Sequence, residues 1–318
     1  MTELSFPRLG YGAANVGNLY RALTDDAAWQ ILQAAWENGV RYFDTAPHYG
    51  LGLSERRLGA FLATKPRDQF IVSTKVGRLL RPSSAGTAGL DLANDFVVPA
   101  DTERVWDFSA AGIARSVDES LERTGLDRFD VLFLHDPERH NLLEGLDRAI
   151  PALVDLRERG LVTAIGVGSM DTAALLASVN TGALDLLMVA GRYTLADQPA
   201  RLEVVPACRI HSVGIVNAAV FNSGLLATDH PAADARYDYG DVPPKLLERV
   251  RMIAAVCRDF GVSLPTAALH YALRDDTVRT VVLGGSSPQQ LRQNAERLDE
   301  SIPDELWQAL IEQNLIPA

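Results

Sequence analysis

Seven short apolar runs rich in β-branched residues constrain the fold of this chain more than any other feature. They are RYFDTA (41–46), FIVSTK (70–75), DVLFLH (130–135), TAIGVG (163–168), DLLMVA (185–190), GIVNAA (214–219) and TVVLGG (280–285). Each is apolar nearly throughout rather than on alternate residues, so each reads as a strand covered on both faces. Between them lie stretches with helical spacing, such as TDDAAWQILQAAWENG from Thr24, SAAGIARSVDESLERTG from Ser109 and PPKLLERVRMIAAVCRDFG from Pro243. All three end on glycine, and the first opens on a capping Thr followed by acids, which is helix start and stop chemistry. Strand alternating with helix predicts a parallel sheet. With FPRLGYGAANVG (6–17) counted as a further strand, the β segments number eight, as a closed (β/α)8 barrel requires. An open doubly wound sheet is the rival arrangement. Favouring the barrel, Asp44, Lys75, His135, Gly168, Ala190, Asn217 and Gly284 all fall at strand ends, the rim on which barrels build their sites. The expectation is therefore one α/β TIM-barrel domain over residues 1–318. Two long connections, Gly77–Phe108 and Asn222–Pro244, should overhang its C-terminal rim.

Composition narrows the classes of function. A hydrophobic content of 47% supplies ample core and excludes a disordered chain. Thirty Lys plus Arg against forty-one Asp plus Glu leave a net charge of −11, which argues against a nucleic-acid partner. No run approaches the ~18 apolar residues that spanning a bilayer needs, and MTELSFPRLG lacks the basic start and apolar stretch of a secretory signal. Cys208 and Cys257 form neither a disulfide framework nor a metal-ligand spacing, so both read as buried thiols of a cytoplasmic protein without a metal site. No apolar stripe on a helix decides the oligomeric state.

Ionisable residues that close apolar strands are costly unless they are paired or placed at the wet end. Taken singly, Asp44 and Lys75 fit a structural ion pair, and His135 fits a satisfied core histidine. Together with Tyr49 they occupy adjacent rim positions, where their side chains can converge. At these residues the chain resembles the aldo-keto reductases, whose active site is an Asp, Tyr, Lys and His in this order on these strands. The resemblance runs through FDTAPHYGLGLSERRLGAFL, IVSTKVG, VLFLHDPE, GLVTAIGVGS and VVLGGSSPQQLRQN, nearly the whole chain. Within that family, AGRYTLADQ (190–198) and FNSGLLA (221–227) are most similar to the aldose 1-dehydrogenases acting on L-fucose, D-threo-aldoses or L-galactose. Pyridoxal 4-dehydrogenases are similar as well.

The resemblance implies oxidation of a sugar at C1 to the aldonolactone, with hydride passing to a nicotinamide. Tyr49 would carry the proton, and Lys75 would lower its pKa from about 10. Asp44 would keep Lys75 charged, and His135 would orient the reacting oxygen. Tyr49, His135, Trp106 and Arg192 are the expected sugar contacts, together with the segment RYDYG (236–240). A pyridoxal 4-dehydrogenase, an NADPH-dependent aldehyde reductase and a non-catalytic binding subunit on the same barrel are the alternatives.

For the cofactor, the implied contacts are Asp44, Ser169, Phe221, Ser223, Gly284, Ser286, Gln290 and Asn294. Family members clamp the 2′-phosphate of NADP with a lysine, a serine and a later arginine. Here those places hold Gly284, Gly285 and Gln290, while Asn294 keeps the adenine position. An uncharged clamp suits ~2 negative charges poorly, so NAD is expected over NADP, with Arg292 the residue able to substitute. Gly168, Ser169, Ala190 and Ala218 stand where the family uses other residues around the nicotinamide, which leaves Arg192, Tyr193 and Phe221 as candidates there. The opening LGYGAANVG lacks the third glycine of a dinucleotide fingerprint.

Overall fold

The computed structural model describes residues 4–83, 89–238 and 240–317. Eight parallel strands close into a barrel: Leu9–Gly12, Tyr42–Asp44, Ile71–Val76, Val131–His135, Ala164–Ser169, Leu186–Ala190, Gly214–Ala218 and Val278–Leu283. Each pairs with its neighbours in sequence, and the eighth returns to the first through Leu9↔Val281 and Tyr11↔Leu283. Closure leaves no barrel edge and removes the open sheet from consideration. The first strand is shorter than its sequence suggested: beyond Gly12 the chain enters a 3-10 turn at Asn15–Gly17.

Side chains alternate across a strand, so one choice of face decides which residues meet inside the barrel. Tyr42, Val131, Phe133, Leu186, Met188, Val216 and Val282 form the inner cluster. Counting in twos from them places Asp44, Lys75 and His135 on the same inner face, one layer nearer the C-terminal rim. A larger cluster fills the space between the strands and the surrounding helices. The three helices read from sequence form as Asp25–Glu37, Ala110–Thr124 and Pro244–Asp259. Thr24 and Ser109 cap the first two by accepting from Ala27 N–H at 3.2 Å and Gly112 N–H at 3.0 Å.

Both long connections carry secondary structure of their own. In Gly77–Phe108, strands Arg78–Pro82 and Thr102–Trp106 pair antiparallel as a hairpin over the rim; residues 84–88 lie outside the described part. In Asn222–Pro244, Arg236–Tyr237 pairs with Gly240–Asp241, and Tyr239 lies outside the described residues. Cys208 and Cys257 are free and buried, and burial pushes both thiols up to about 12. Among the described residues, no single helix is long and apolar enough to cross a membrane.

Candidate active site

Asp44 ends the second strand and Lys75 nearly ends the third, and neighbouring strands bring their side chains together. Lys75 Nζ donates to Asp44 Oδ2 at 2.5 Å and to the Thr45 carbonyl at 3.1 Å. The other carboxylate oxygen of Asp44 accepts from Ser73 Oγ at 2.7 Å, and that hydroxyl lies 2.9 Å from the Tyr42 hydroxyl. Both members of the ion pair are almost fully buried. Burial opposes the Lys75 charge, but Asp44 and Tyr49 outweigh it and raise its pKa above the ordinary lysine value.

Tyr49 sits on the turn after the second strand, and its position is built from the backbone outward. Gly50 has φ +60°, and a Cβ there would lie 2.1 Å from the Gly17 carbonyl oxygen, so only glycine lets the two loops touch. The residues that follow in GLGLSE anchor this turn. Ser54 Oγ donates to the Ala13 carbonyl at 2.8 Å and lies 2.8 Å from Thr45 Oγ1. Buried Glu55 accepts from Thr74 Oγ1 at 2.9 Å and from Arg123 Nε at 2.5 Å. The result holds Lys75 Nζ 4.8 Å from the Tyr49 ring centre, with the His135 ring 6.0 Å away and nearly perpendicular. Burial raises the Tyr49 pKa, Lys75 pulls it down as the sequence led one to expect, and the net shift is upward. At neutral pH the phenol therefore rests protonated beside a charged lysine.

His135 is neutral, since burial and then the nearby Arg78 and Lys75 charges push its pKa well below the ordinary histidine value. Its Nε2 lies 3.6 Å from Asp136 Oδ2. Asp136 adopts φ 43° and accepts from Arg78 Nη2 at 2.5 Å. Neither Asp136, which follows His135 in VLFLHDPE, nor Arg78, which follows IVSTKVG, was given a role from sequence. Glu138 was missed as well: it accepts from Ser169 Oγ at 2.7 Å, and burial raises its pKa.

A cavity of about 720 Å³ runs from this cluster along the rim. Asp44, Tyr49, Lys75 and His135 line one part of it, with Ser169, Phe221 and Ser223 beside them. Gly284, Ser286, Gln290 and Asn294 line it as well. Seven non-glycine residues on the cavity wall, Tyr20, Asp95, Asp136, Ala219, Asn222, Ser223 and Asp238, have positive φ, a backbone cost that clusters at ligand clamps. At Gly284 a Cβ would lie 2.6 Å from Asn15 Oδ1, so Asn15 occupies the place a longer side chain would need. Arg292 is exposed and does not line the cavity. Sequence reasoning overlooked Arg297, which does line it and donates to Asn294 Oδ1 at 2.9 Å, and Arg21, whose guanidinium donates to the Ser286 carbonyl.

Two expected sugar contacts stand elsewhere. Trp106 stacks on His140 at 5.4 Å and lies under the Arg78 guanidinium at 4.4 Å, outside the cavity wall. Arg192 pairs with Asp238 at 2.6 Å and with Asp197 at 3.5 Å, tying down the 236–241 hairpin rather than facing the cavity. Tyr193 is buried against Tyr271, which leaves Phe221 as the one of the three nicotinamide candidates on the cavity wall.

A family model described as the aldo/keto reductase family matches residues 8–314. A D-threo-aldose 1-dehydrogenase from a Pseudomonas species is 59% identical over 315 residues, 99% of this chain and 96% of that one. A pyridoxal 4-dehydrogenase from Microbacterium luteolum is 34% identical, with 99% and 96% covered. Among solved structures, an aldo-keto reductase from Bacillus halodurans in its holo form has a TM-score of 0.74 at 25% identity, covering 98% of this chain and 92% of that one.

Proposed function

The chain belongs to the aldo/keto reductase family of oxidoreductases, and from that premise we propose that it oxidises an aldose of D-threo type at C1 to the lactone, with NAD preferred. One observation carries the reading: the Lys75–Asp44 ion pair lies beside Tyr49 and His135 on the wall of a cavity that Asn294 also lines. The name of the Pseudomonas relative supports the sugar class.

The donor set fits a dinucleotide. Ser169, Ser223, Ser286 and Asn294 line the cavity with polar side chains, Ser169 already bonded to Glu138, and helix Pro288–Asp299 starts beside Gly284 and Gly285, a helix N-terminus of the kind that favours phosphate. When bound, the nicotinamide supplies the hydride acceptor. Tyr49 accepts the proton of the anomeric hydroxyl. Lys75, held charged by Asp44, stabilises the phenolate that must form first. His135 in its neutral form donates to the same oxygen and fixes the sugar against the tyrosine. The two buried thiols suit a cytoplasmic protein, and a small-molecule sugar is the partner this reading needs.

Because Tyr49 rests protonated and oxidation needs it deprotonated, kcat/KM for oxidation should rise with pH. The acid limb should climb about tenfold per pH unit, and reduction should run the opposite way. A flat profile in both directions would take the tyrosine–lysine pair out of the proton path.

The activity is tested by following reduced-nicotinamide absorbance with L-fucose, L-galactose, D-arabinose and pyridoxal, each with NAD and with NADP. Sugar-dependent NAD reduction is expected; a response to pyridoxal alone would replace the substrate class, and silence throughout would remove the enzymatic reading. Gln290→Arg should raise kcat/KM for NADP about tenfold through a charge-assisted contact and leave NAD nearly unchanged. If the wild type already uses both cofactors equally, Arg297 and Arg21 outweigh the missing lysine.

A further inference from the structure

His48 is a polar side chain that the proposed chemistry does not use. It immediately precedes Tyr49 and lines the same cavity. Three rings fix its plane: Phe96 at 5.5 Å and His135 at 5.7 Å, both edge to face, and Tyr49 at 6.1 Å. Its carbonyl accepts from Arg104 Nη2 at 2.9 Å, which ties the backbone to the rim hairpin. The ring is held neutral, first by burial and then by the charges of Arg78, Arg104, Arg139 and Lys75.

A neutral imidazole has one donor and one acceptor. Nδ1 is buried with no hydrogen-bond partner. A proton there would be an orphaned buried donor, the rarer and costlier defect. The proton therefore belongs on Nε2, the ring nitrogen left to serve the cavity. On the proposed mechanism Tyr49 and His135 already serve the reacting oxygen, and the His48 ring centre lies 5.7 Å from that of His135 on the same cavity wall.

We propose that His48 is a specificity residue whose Nε2–H donates to a ring hydroxyl of the sugar other than the reacting one, selecting polyhydroxylated substrates over aldehydes that lack it. This inference rests on the aldose reading above. A donor on the cavity wall that only the correct substrate satisfies discriminates more strongly than added apolar contact, because the wrong substrate leaves it unpaired once the site is closed to water.

The test compares wild type, His48→Phe and His48→Gln on the preferred aldose, on its singly deoxygenated analogues at C2, C3 and C4, and on glycolaldehyde. His48→Phe should lose about tenfold in kcat/KM on the parent sugar, mainly through KM. It should lose nothing further on the one analogue that lacks the contacted hydroxyl, and little on glycolaldehyde. His48→Gln, which keeps a donor, should recover most of the loss. NAD affinity, read by quenching of tryptophan fluorescence, should stay the same in all three proteins. An equal loss on every substrate, or none on any, overturns the inference while the aldose reading stands. If the wild type oxidises no aldose, both fall. Should His48→Phe fail to fold by circular dichroism, His48→Leu carries the same comparison.

Discussion

Tyr49→Phe should abolish turnover while leaving the fold and dinucleotide binding intact. The substitution removes one oxygen and keeps the ring, so the packing against Phe96 and His135 survives. Lys75 also keeps its two acceptors, Asp44 Oδ2 at 2.5 Å and the Thr45 carbonyl at 3.1 Å. What disappears is the hydroxyl beside Lys75 that, on the proposed mechanism, takes the proton from the sugar. Loss of a positioned general base costs about 10²- to 10⁴-fold. The check is steady-state turnover on the best aldose together with NAD titration by fluorescence. Retained activity would remove Tyr49 from the mechanism; lost NAD binding would mean that the ring shapes the cofactor site.

Asp44→Asn should have the largest effect on stability. Lys75 is 2% exposed, and without the carboxylate its ammonium is an uncompensated buried charge. Breaking a buried pair from one side costs about 3–5 kcal/mol, so the denaturant midpoint should fall substantially and activity should fall with it. The pH dependence distinguishes this from a packing defect. In the wild type the Lys75 pKa is raised, so its stabilisation is complete below the unfolded lysine value and is lost as pH rises through the folded one. In the variant the lysine pKa falls below the unfolded value, and deprotonation relieves the strain as pH increases. The gap between the two proteins should therefore narrow toward alkaline pH. A double variant, Asp44→Asn with Lys75→Met, should recover most of the stability and none of the activity. If the double variant is as unstable as the single one, the charge is not the cause.

The barrel was legible because its strands announce themselves: runs such as DVLFLH and DLLMVA have no polar face along their length, and only a sheet covered on both sides accepts that. The convergence of Asp44, Lys75 and His135 was legible for a related reason, since an ionisable residue at the end of such a run has few tolerable places to go; Tyr49, on a turn, came in through the family resemblance. Trp106 and Arg192 show where that logic stops. Both lie in rim segments, and where each side chain settles depends on a partner brought in by another loop. Asp238, which captures Arg192, is 46 residues away, and Arg78, which covers Trp106, joins it only through the hairpin register. Period and composition carry no information about loop closure. His48 was passed over because a histidine before a tyrosine in a turn has no distinctive spacing; its meaning lies in a nitrogen without a partner, which appears only in three dimensions. The upward net shift at Tyr49 is of the same kind, since burial depends on the whole fold whereas the neighbouring lysine could be read from the order of strands.

The rim hairpin of Arg78–Pro82 and Thr102–Trp106 springs from one short arc of the barrel, between the strands that carry Lys75 and His135. Gly284, Gln290 and Asn294 belong to the eighth strand's end and the helix beyond it. The two arcs are linked through the first loop: Tyr20 N–H donates to the Asp95 carbonyl at 2.8 Å, and Arg21 donates to the Ser286 carbonyl. A segment grafted at that arc would therefore reshape the opening through which anything reaches the tyrosine, because residues 93–96 form part of the same wall.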